Sequence, residues 1–162
     1  MPGQREDMGI FIAEWYDGLF DYADTEIDAP VWDALEQARD EVKRMLEVLR
    51  KDGKIGSSLD AEITIEAEPA LLEQLNAVGD ELRFVMITSA ASLAPLADAG
   101  AEDVVTLRSG YKVRVLAEPS AHAKCVRCWH HRDDVGSHEA HPELCGRCVE
   151  NVDGEGEKRR FA

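Results

Sequence analysis

No stretch of this 162-residue sequence approaches the ~20 consecutive apolar residues needed to span a bilayer. No charged-then-apolar leader opens it either, so neither a membrane segment nor a signal peptide is expected. Basic residues are scarce: 18 Lys and Arg stand against 33 Asp and Glu, for a net charge of −15. A body this acidic cannot offer an extended phosphate-binding surface, and any contact with nucleic acid has to be local. The imbalance is uneven, since residues 1–120 carry −14 and residues 121–162 only −1. No Gly-x4-Gly-Lys-Ser/Thr loop is present, and the Gly/Ser-rich turn 55–61 is no substitute for one. No Ser–His–Asp arrangement is suggested, and the many carboxylates fall on solvated helix and strand faces. No catalytic residue is therefore expected. Low-complexity segments and long internal repeats are also missing.

Cysteine is scarce as well, but its placement is informative. All four cysteines lie in one stretch, as Cys125-Val126-Arg127-Cys128 and Cys145-Gly146-Arg147-Cys148, with 16 residues between the pairs. Two Cys-x-x-Cys turns at this spacing read as a zinc site. Each turn grips one metal through two thiolates, and two turns close a tetrahedron. Four thiolate ligands leave no open coordination position, so such a site is structural. A disulfide framework suits a small secreted chain, and a redox dithiol needs only one Cys-x-x-Cys. Reduced cysteines holding Zn2+ fit the cytosol, which makes a cytoplasmic location the expectation. All five histidines (His122, His130, His131, His138, His141) sit in or beside this stretch. One could replace a cysteine as ligand. With four cysteines already paired, a surface position is expected for the histidines.

The cations of the tail are Lys124, Arg127, Arg132, Arg147, Lys158, Arg159 and Arg160. A zinc ion with four thiolates carries a charge of about −2, which these residues can partly neutralise. Two roles stay open for Arg127 and Arg147: contact with phosphates or bases, or hydrogen bonding to the thiolates. Two also stay open for Trp129: stacking on an unpaired base, or packing on the knuckles as a miniature core. Lys158-Arg159-Arg160 is either a solvated tail or a further nucleic-acid contact.

Upstream, the chain can hold one domain and a small appendage, with 44% hydrophobic residues. Residues 1–27 read as a connector with apolar groups at Ile10–Ala13, Trp15 and Tyr16. Asp28 can cap a helix from about Ala29 to Lys51, with Pro30 tolerated in its first turn and Gly53 ending it. Val31, Leu35, Ala38, Val42, Met45 and Leu49 fall on one stripe of that helix. Alternation at Ile63, Ile65 and Ala67 predicts a strand. Pro69 opens a short helix with Leu71, Leu72, Leu75 and Val78 inward. Leu82 and Phe84–Ile87 read as a second strand, 104–107 and 113–117 as two more, and Ser89–Gly100 is ambiguous. The expected fold is α+β: an N-terminal amphipathic helix, a small mixed α/β domain over 56–118 in the order strand-helix-strand-strand-strand, and a C-terminal four-cysteine zinc-knuckle module over 119–162.

Lys-Cys-x-Arg-Cys-Trp-His at 124–130, Asp-Val-Gly at 134–136, Leu-Cys-x-Arg-Cys-Val at 144–149 and Gly-Glu-Lys-Arg-x-Phe-Ala at 156–162 resemble the extreme C-terminus of bacterial isoleucyl-tRNA synthetase. Trp32, Arg39–Val42, Ile55–Ala61, Asp80–Arg83 and Ile87–Ser89 extend the likeness over about residues 10–162. The resemblance implies that 28–55 ends a helical anticodon-binding domain whose other helices precede residue 1, which would leave part of the apolar stripe uncovered. It also implies that the zinc module helps hold the anticodon end of isoleucine tRNA, with Arg127, Trp129, Arg147, Lys158, Arg159 and Arg160 as candidate contacts. The implied partners are isoleucine tRNA and the catalytic body of the parent ligase, with no membrane or DNA partner. The His-Ile-Gly-His-like and Lys-Met-Ser-Lys-Ser-like motifs with which that family activates isoleucine by ATP are missing, so the chain alone is not expected to be an enzyme.

Two other classes compete with this reading. DNA-repair glycosylases carry a similar finger, but their chemistry needs an N-terminal Pro-Glu, and here Pro2 is followed by Gly3. A zinc-stabilised protein-interaction module is favoured by the acidity of residues 1–120 and disfavoured by the placement of the tryptophan and arginines.

Overall fold

The computed structural model describes Gly18 and residues 27–161. The connector reading, with Trp15 and Tyr16, lies outside the described residues. Helix α1 runs Ala29–Lys51, and the Asp28 carboxylate accepts from the Val31 N–H at 3.1 Å. Pro30 sits in the first turn, where no intrahelical donor is lost. Strand β1 (Ala61–Ala67), helix α2 (Pro69–Asn76), the short helix α3 (Leu82–Met86) and strands β2 (Ala90–Pro95), β3 (Val105–Thr106) and β4 (Lys112–Pro119) follow. The four strands form one mixed sheet in the order β2-β1-β4-β3. β1 and β2 are parallel, with Ile63 opposite Ala91, while β1 with β4 and β3 with β4 are antiparallel. The parallel pair needs a crossover, and α2 and α3 supply it.

Alternation in β1 sends Ala61, Ile63, Ile65 and Ala67 into the core. The helices lie over that side: α1 packs on β4, α2 and α3. The apolar stripe of α1 is therefore covered, contrary to the expectation that part of it would be left open. Leu35, Ala38 and Val42 are fully buried, Leu46 and Leu49 nearly so, and Val31 and Met45 pack at the margin. Gln37 is buried too; its amide donates to Asp33 and its carbonyl accepts from the Ser109 N–H at 2.9 Å, tying α1 to the loop before β4.

A second expectation is overturned. Residues 82–87 do not form a strand: 82–86 are helical, and the second strand begins at Ala90. A short apolar run does not distinguish the two by pattern alone. What decides is that Leu82 and Met86 are buried while Phe84 between them is only half-buried: a strand would put all three on one face, whereas a helix pairs the residues four apart and turns Phe84 aside. Ile87 ends the helix in the left-handed region, with φ 58°. The Ala-rich stretch that was ambiguous in sequence is the strand.

Ile65 lies at 0% exposure on β1, an inner strand of the sheet. Ile65→Ala should destabilise the zinc-loaded chain by about 2–5 kcal/mol. Urea unfolding followed by circular dichroism measures this, and a loss under about 1 kcal/mol would contradict the placement of the core.

Candidate metal centre

After β4 the chain makes a small hairpin of β5 (Ala123–Lys124) and β6 (His131–Arg132), and later a helix α4 (Gly146–Asp153). The first knuckle is the hairpin's turn. The Trp129 N–H donates to the Cys125 carbonyl and the Cys125 N–H to the His130 carbonyl, both at 2.9 Å. The second knuckle is the start of α4, where Cys145 is the residue before the first turn and Cys148 lies within it. The Cys148 and Val149 N–H groups both donate to the Cys145 carbonyl. Asp134 accepts from the Gly146 N–H at 3.0 Å, and the Val126 N–H donates to the Glu143 carbonyl, which brings the two knuckles face to face.

The result is a cluster of four sulfurs, all within 4.8 Å of one another. Tetrahedral zinc at about 2.3 Å from each sulfur requires sulfur–sulfur edges of about 3.8 Å, and Cys128 and Cys145 stand 3.7 Å apart. Donor type, number and spacing all fit Zn2+. Cys125, Cys145 and Cys148 are buried. Burial works to raise the Cys125 thiol, yet the backbone N–H groups of Cys128, Cys145 and Arg127 outweigh it and bring it down to about 6. Burial pushes Cys145 up to about 12 and also raises Cys148. Without a metal, the cluster cannot hold four negative charges.

The module is fastened to the sheet by groups that the sequence reading did not single out. Ser89, fully buried after α3, donates to the Leu59 carbonyl and accepts from the His131 N–H at 2.6 Å. Asp60 closes the Gly/Ser turn by accepting from the Gly56 and Ser57 N–H groups. Its other oxygen faces His131 Nε2 at 3.5 Å and Lys124 Nζ at 3.8 Å. Burial works to raise Asp60, but the two backbone donors, then Lys124 and His131, hold it below the usual carboxylate range. Phe84 is the third fastening: the His130 ring meets it edge-on at 5.7 Å, and the guanidiniums of Arg83, Arg147 and Arg159 lie 4.7, 5.1 and 4.1 Å from its centre. The tail then returns to the body, where Glu81 accepts from the Arg160 and Phe161 N–H groups.

The six candidate contact residues separate into two sets. Trp129 is 61% exposed on the first knuckle, with Lys124 Nζ 5.9 Å from its ring, so it is not the miniature core of the knuckles. Arg127 is exposed beside it, while its Nη1 donates to Cys148 Sγ at 3.6 Å. Arg147 instead turns toward the body, pairing with Glu157 at 2.7 Å. Burial works against the Arg147 charge, but the Cys128 sulfur and Glu157 raise its pKa above the ordinary value. Arg159 also pairs with Glu157, and Lys158 and Arg160 are exposed. The histidines depart from the expected surface position at three places: His130 and His131 are half-buried in the seam, and His141 is half-buried against Asp153.

A mixed α+β body with a four-cysteine, metal-binding knuckle module is the class that fold and site define. Residues 124–151 match the family described as the zinc finger found in FPG and IleRS, and the cofactor the cluster is positioned to bind is a zinc ion. Along 99% of its length the chain is 49% identical to isoleucine–tRNA ligase of Methylococcus capsulatus. Along all of it, the chain is 51% identical to that of Alcanivorax borkumensis and 48% to that of Pseudomonas paraeruginosa. The chain spans 17% of the length of each of these relatives. It is similar to their C-terminal region.

Stripping the metal from the reduced chain with a strong chelator should release one zinc per chain. The amides of Cys125, Trp129, Cys148 and Val149 should then lose their protection in hydrogen exchange, because the knuckles have little else to fold around. The β1 and β4 amides should keep theirs. Protected knuckle amides after complete chelation would contradict a metal-built module.

Proposed function

We propose that this chain is the tRNA-recognition part of an isoleucine–tRNA ligase, holding the anticodon end of isoleucine tRNA while a catalytic part outside this chain performs ATP-dependent charging. The observation that carries the reading is the near-50% identity to isoleucine–tRNA ligases along essentially the whole chain. In this reading Cys125, Cys128, Cys145 and Cys148 ligate one structural zinc. The four thiolates fill its coordination, and the metal serves to order the knuckles. Residues 28–55 are the end of a helical anticodon-binding domain, 56–118 a small α/β domain, and 119–162 the zinc module. The partners are isoleucine tRNA and the ligase's catalytic body, in the cytoplasm, and this chain alone forms no aminoacyl-tRNA. Among the described residues no helix is long and apolar enough to cross a membrane.

The exposed indole of Trp129, next to Lys124 and Arg127, has the chemistry of a stacking platform flanked by cations. Arg127 combines a sulfur hydrogen bond with an exposed position, so the two roles open to it are compatible. Arg147 and Arg159 are bound up with Phe84 and Glu157, which makes them supports of the module first. The second reading, a protein-interaction module, draws on the net charge of −14 over residues 1–120.

The test is a titration of isoleucine tRNA into the zinc-loaded chain at low salt. Trp129→Ala should weaken binding by about 1–3 kcal/mol. Arg127→Ala should weaken it and lower the salt slope by about 1. Both variants should retain zinc. Equal tRNA affinity in wild type and both variants would sink the stacking and phosphate roles. No affinity for tRNA with zinc bound would favour the protein-interaction module.

A further inference from the structure

A cavity of about 160 Å³ separates the cysteine cluster from the α/β body, and its walls carry more positive than negative charge. Arg83 from α3, Arg132 from β6 and Arg147 from α4 line it, with Asp134 as the only carboxylate among the lining residues. Cys128 and Cys145 form the remaining side. Arg132 and Arg147 have carboxylates at hand, Asp134 at 3.9 Å and Glu157 at 2.7 Å. Arg83 differs from them. Among the described residues it makes no ion pair, and its Nε is buried without a hydrogen-bond partner. Leaving a buried guanidinium nitrogen without a partner is costly, and the like charges of Arg132 and Arg147 stand beside it. Burial and those two charges push Arg83 below its ordinary pKa, while Asp80 and the Cys145 sulfur act in the opposite sense.

An anion such as phosphate is the first occupant that such a cavity suggests. Charge argues against it. Three arginines against Asp134 and the Glu157 paired with Arg147 leave about +1, and a zinc ion held by four thiolates brings about −2 to the same wall. With zinc bound the positive charge of the cavity is met and a further anion is not needed. Of the three arginines, Arg83 alone has no carboxylate partner among the described residues, so it is the one that the tetrathiolate charge would answer.

We infer that Arg83, a residue of the α/β body, is a positioning residue of the zinc centre: its guanidinium is the counter-charge that the body offers to the loaded tetrathiolate, so that metal binding and docking of the knuckles are one coupled equilibrium. Phe84 holds the same guanidinium by its ring at 4.7 Å, and Ser89 and Asp60 fix the module in register beside it. By linkage, whatever metal gains from Arg83, docking gains from metal. The inference rests on the reading of the four cysteines as zinc ligands.

The experiment uses the full chain with Arg83→Met, which keeps the bulk and removes the charge, and Arg83→Lys, which keeps the charge. Zinc affinity is read by competition with a chromogenic chelator, and melting temperature with and without zinc. Arg83→Met should weaken zinc binding roughly tenfold or more, the range seen when partners of metal ligands are removed, and Arg83→Lys should restore most of it. Arg83→Met should lower the melting temperature of the loaded chain and leave that of the metal-free chain unchanged or raised, because there it removes an unpaired charge. Arg83→Gln, a second neutral variant, should show the same opposed shifts. Unchanged zinc affinity in Arg83→Met, or equal losses with and without metal, would overturn the inference and assign Arg83 to packing. A wild-type chain that takes up no zinc would bring down the reading of the cysteines itself; a wild type that binds one zinc as tightly as Arg83→Met brings down the coupling alone.

Discussion

Four sulfurs within 4.8 Å of one another are the constraint on which the C-terminal part of this protein depends. Ionised together they would repel, and protonated together they would bury weak donors with little return. A divalent ion resolves both problems at once. The apolar contribution around them is slight: Val135 and Leu144 are the packed hydrophobics beside the cysteines. A core that small cannot order about 40 residues by burial alone, so the metal takes its place. The sheet and α1 have the opposite economy. Their cluster runs from Ile27 to Val115 and is aliphatic throughout.

Joining two units with such different cores is a problem in polar chemistry. The seam solves it with short, specific contacts in place of an apolar interface. Ser89 receives one hydrogen bond across it, from the His131 N–H, while its own hydroxyl donates to Leu59 within the body, and Asp60 first satisfies its own turn and then faces His131 and Lys124. Phe84 gathers cations from three segments on one ring. Guanidiniums stack on aromatic faces without shedding all their water, which makes such a ring tolerant of crowding that carboxylates alone would not balance. Glu157 still has to pair with both Arg147 and Arg159, and those two cations hold it below its ordinary pKa against the effect of burial.

The sequence made the metal centre legible because its chemistry is local. Two Cys-x-x-Cys turns state the ligands, their number and the closed coordination without reference to the rest of the chain. The long helix was legible for the same reason: cap, period and stop are all near neighbours. Residues 82–87 were not, because a run of Leu, Phe, Val, Met and Ile satisfies a strand and a helix alike until the partners of Leu82 and Met86 are known. The covering of the α1 stripe was equally hidden, since only the folded sheet shows what lies against Leu35 and Val42. The seam was the least visible of all. Ser89, Asp60 and Arg83 belong to stretches that carried the family resemblance and Phe84 to the run read as a strand, yet nothing in their local pattern says that they meet a module 40 or more residues away.

Two costs meet at Trp129. Its backbone lies in the left-handed region at φ 66°, where a bulky side chain is disfavoured by about 1–2 kcal/mol. Its indole is 61% exposed, which forgoes the burial that an aromatic usually gains. Glycine would satisfy the turn without strain, and any polar residue would suit the exposure. The strained backbone is held in place by the Trp129 N–H bond to the Cys125 carbonyl, so the metal site over-determines the conformation and can carry the strain. What the strain achieves is to stand a flat, rigid ring outward from the knuckle beside Lys124. Under the proposed function both costs are recovered when an unpaired base stacks on that ring. On that proposal the zinc has a purpose beyond order, because the metal site is what keeps an unfavourable tryptophan pointing outward, where a loop nucleotide would meet it.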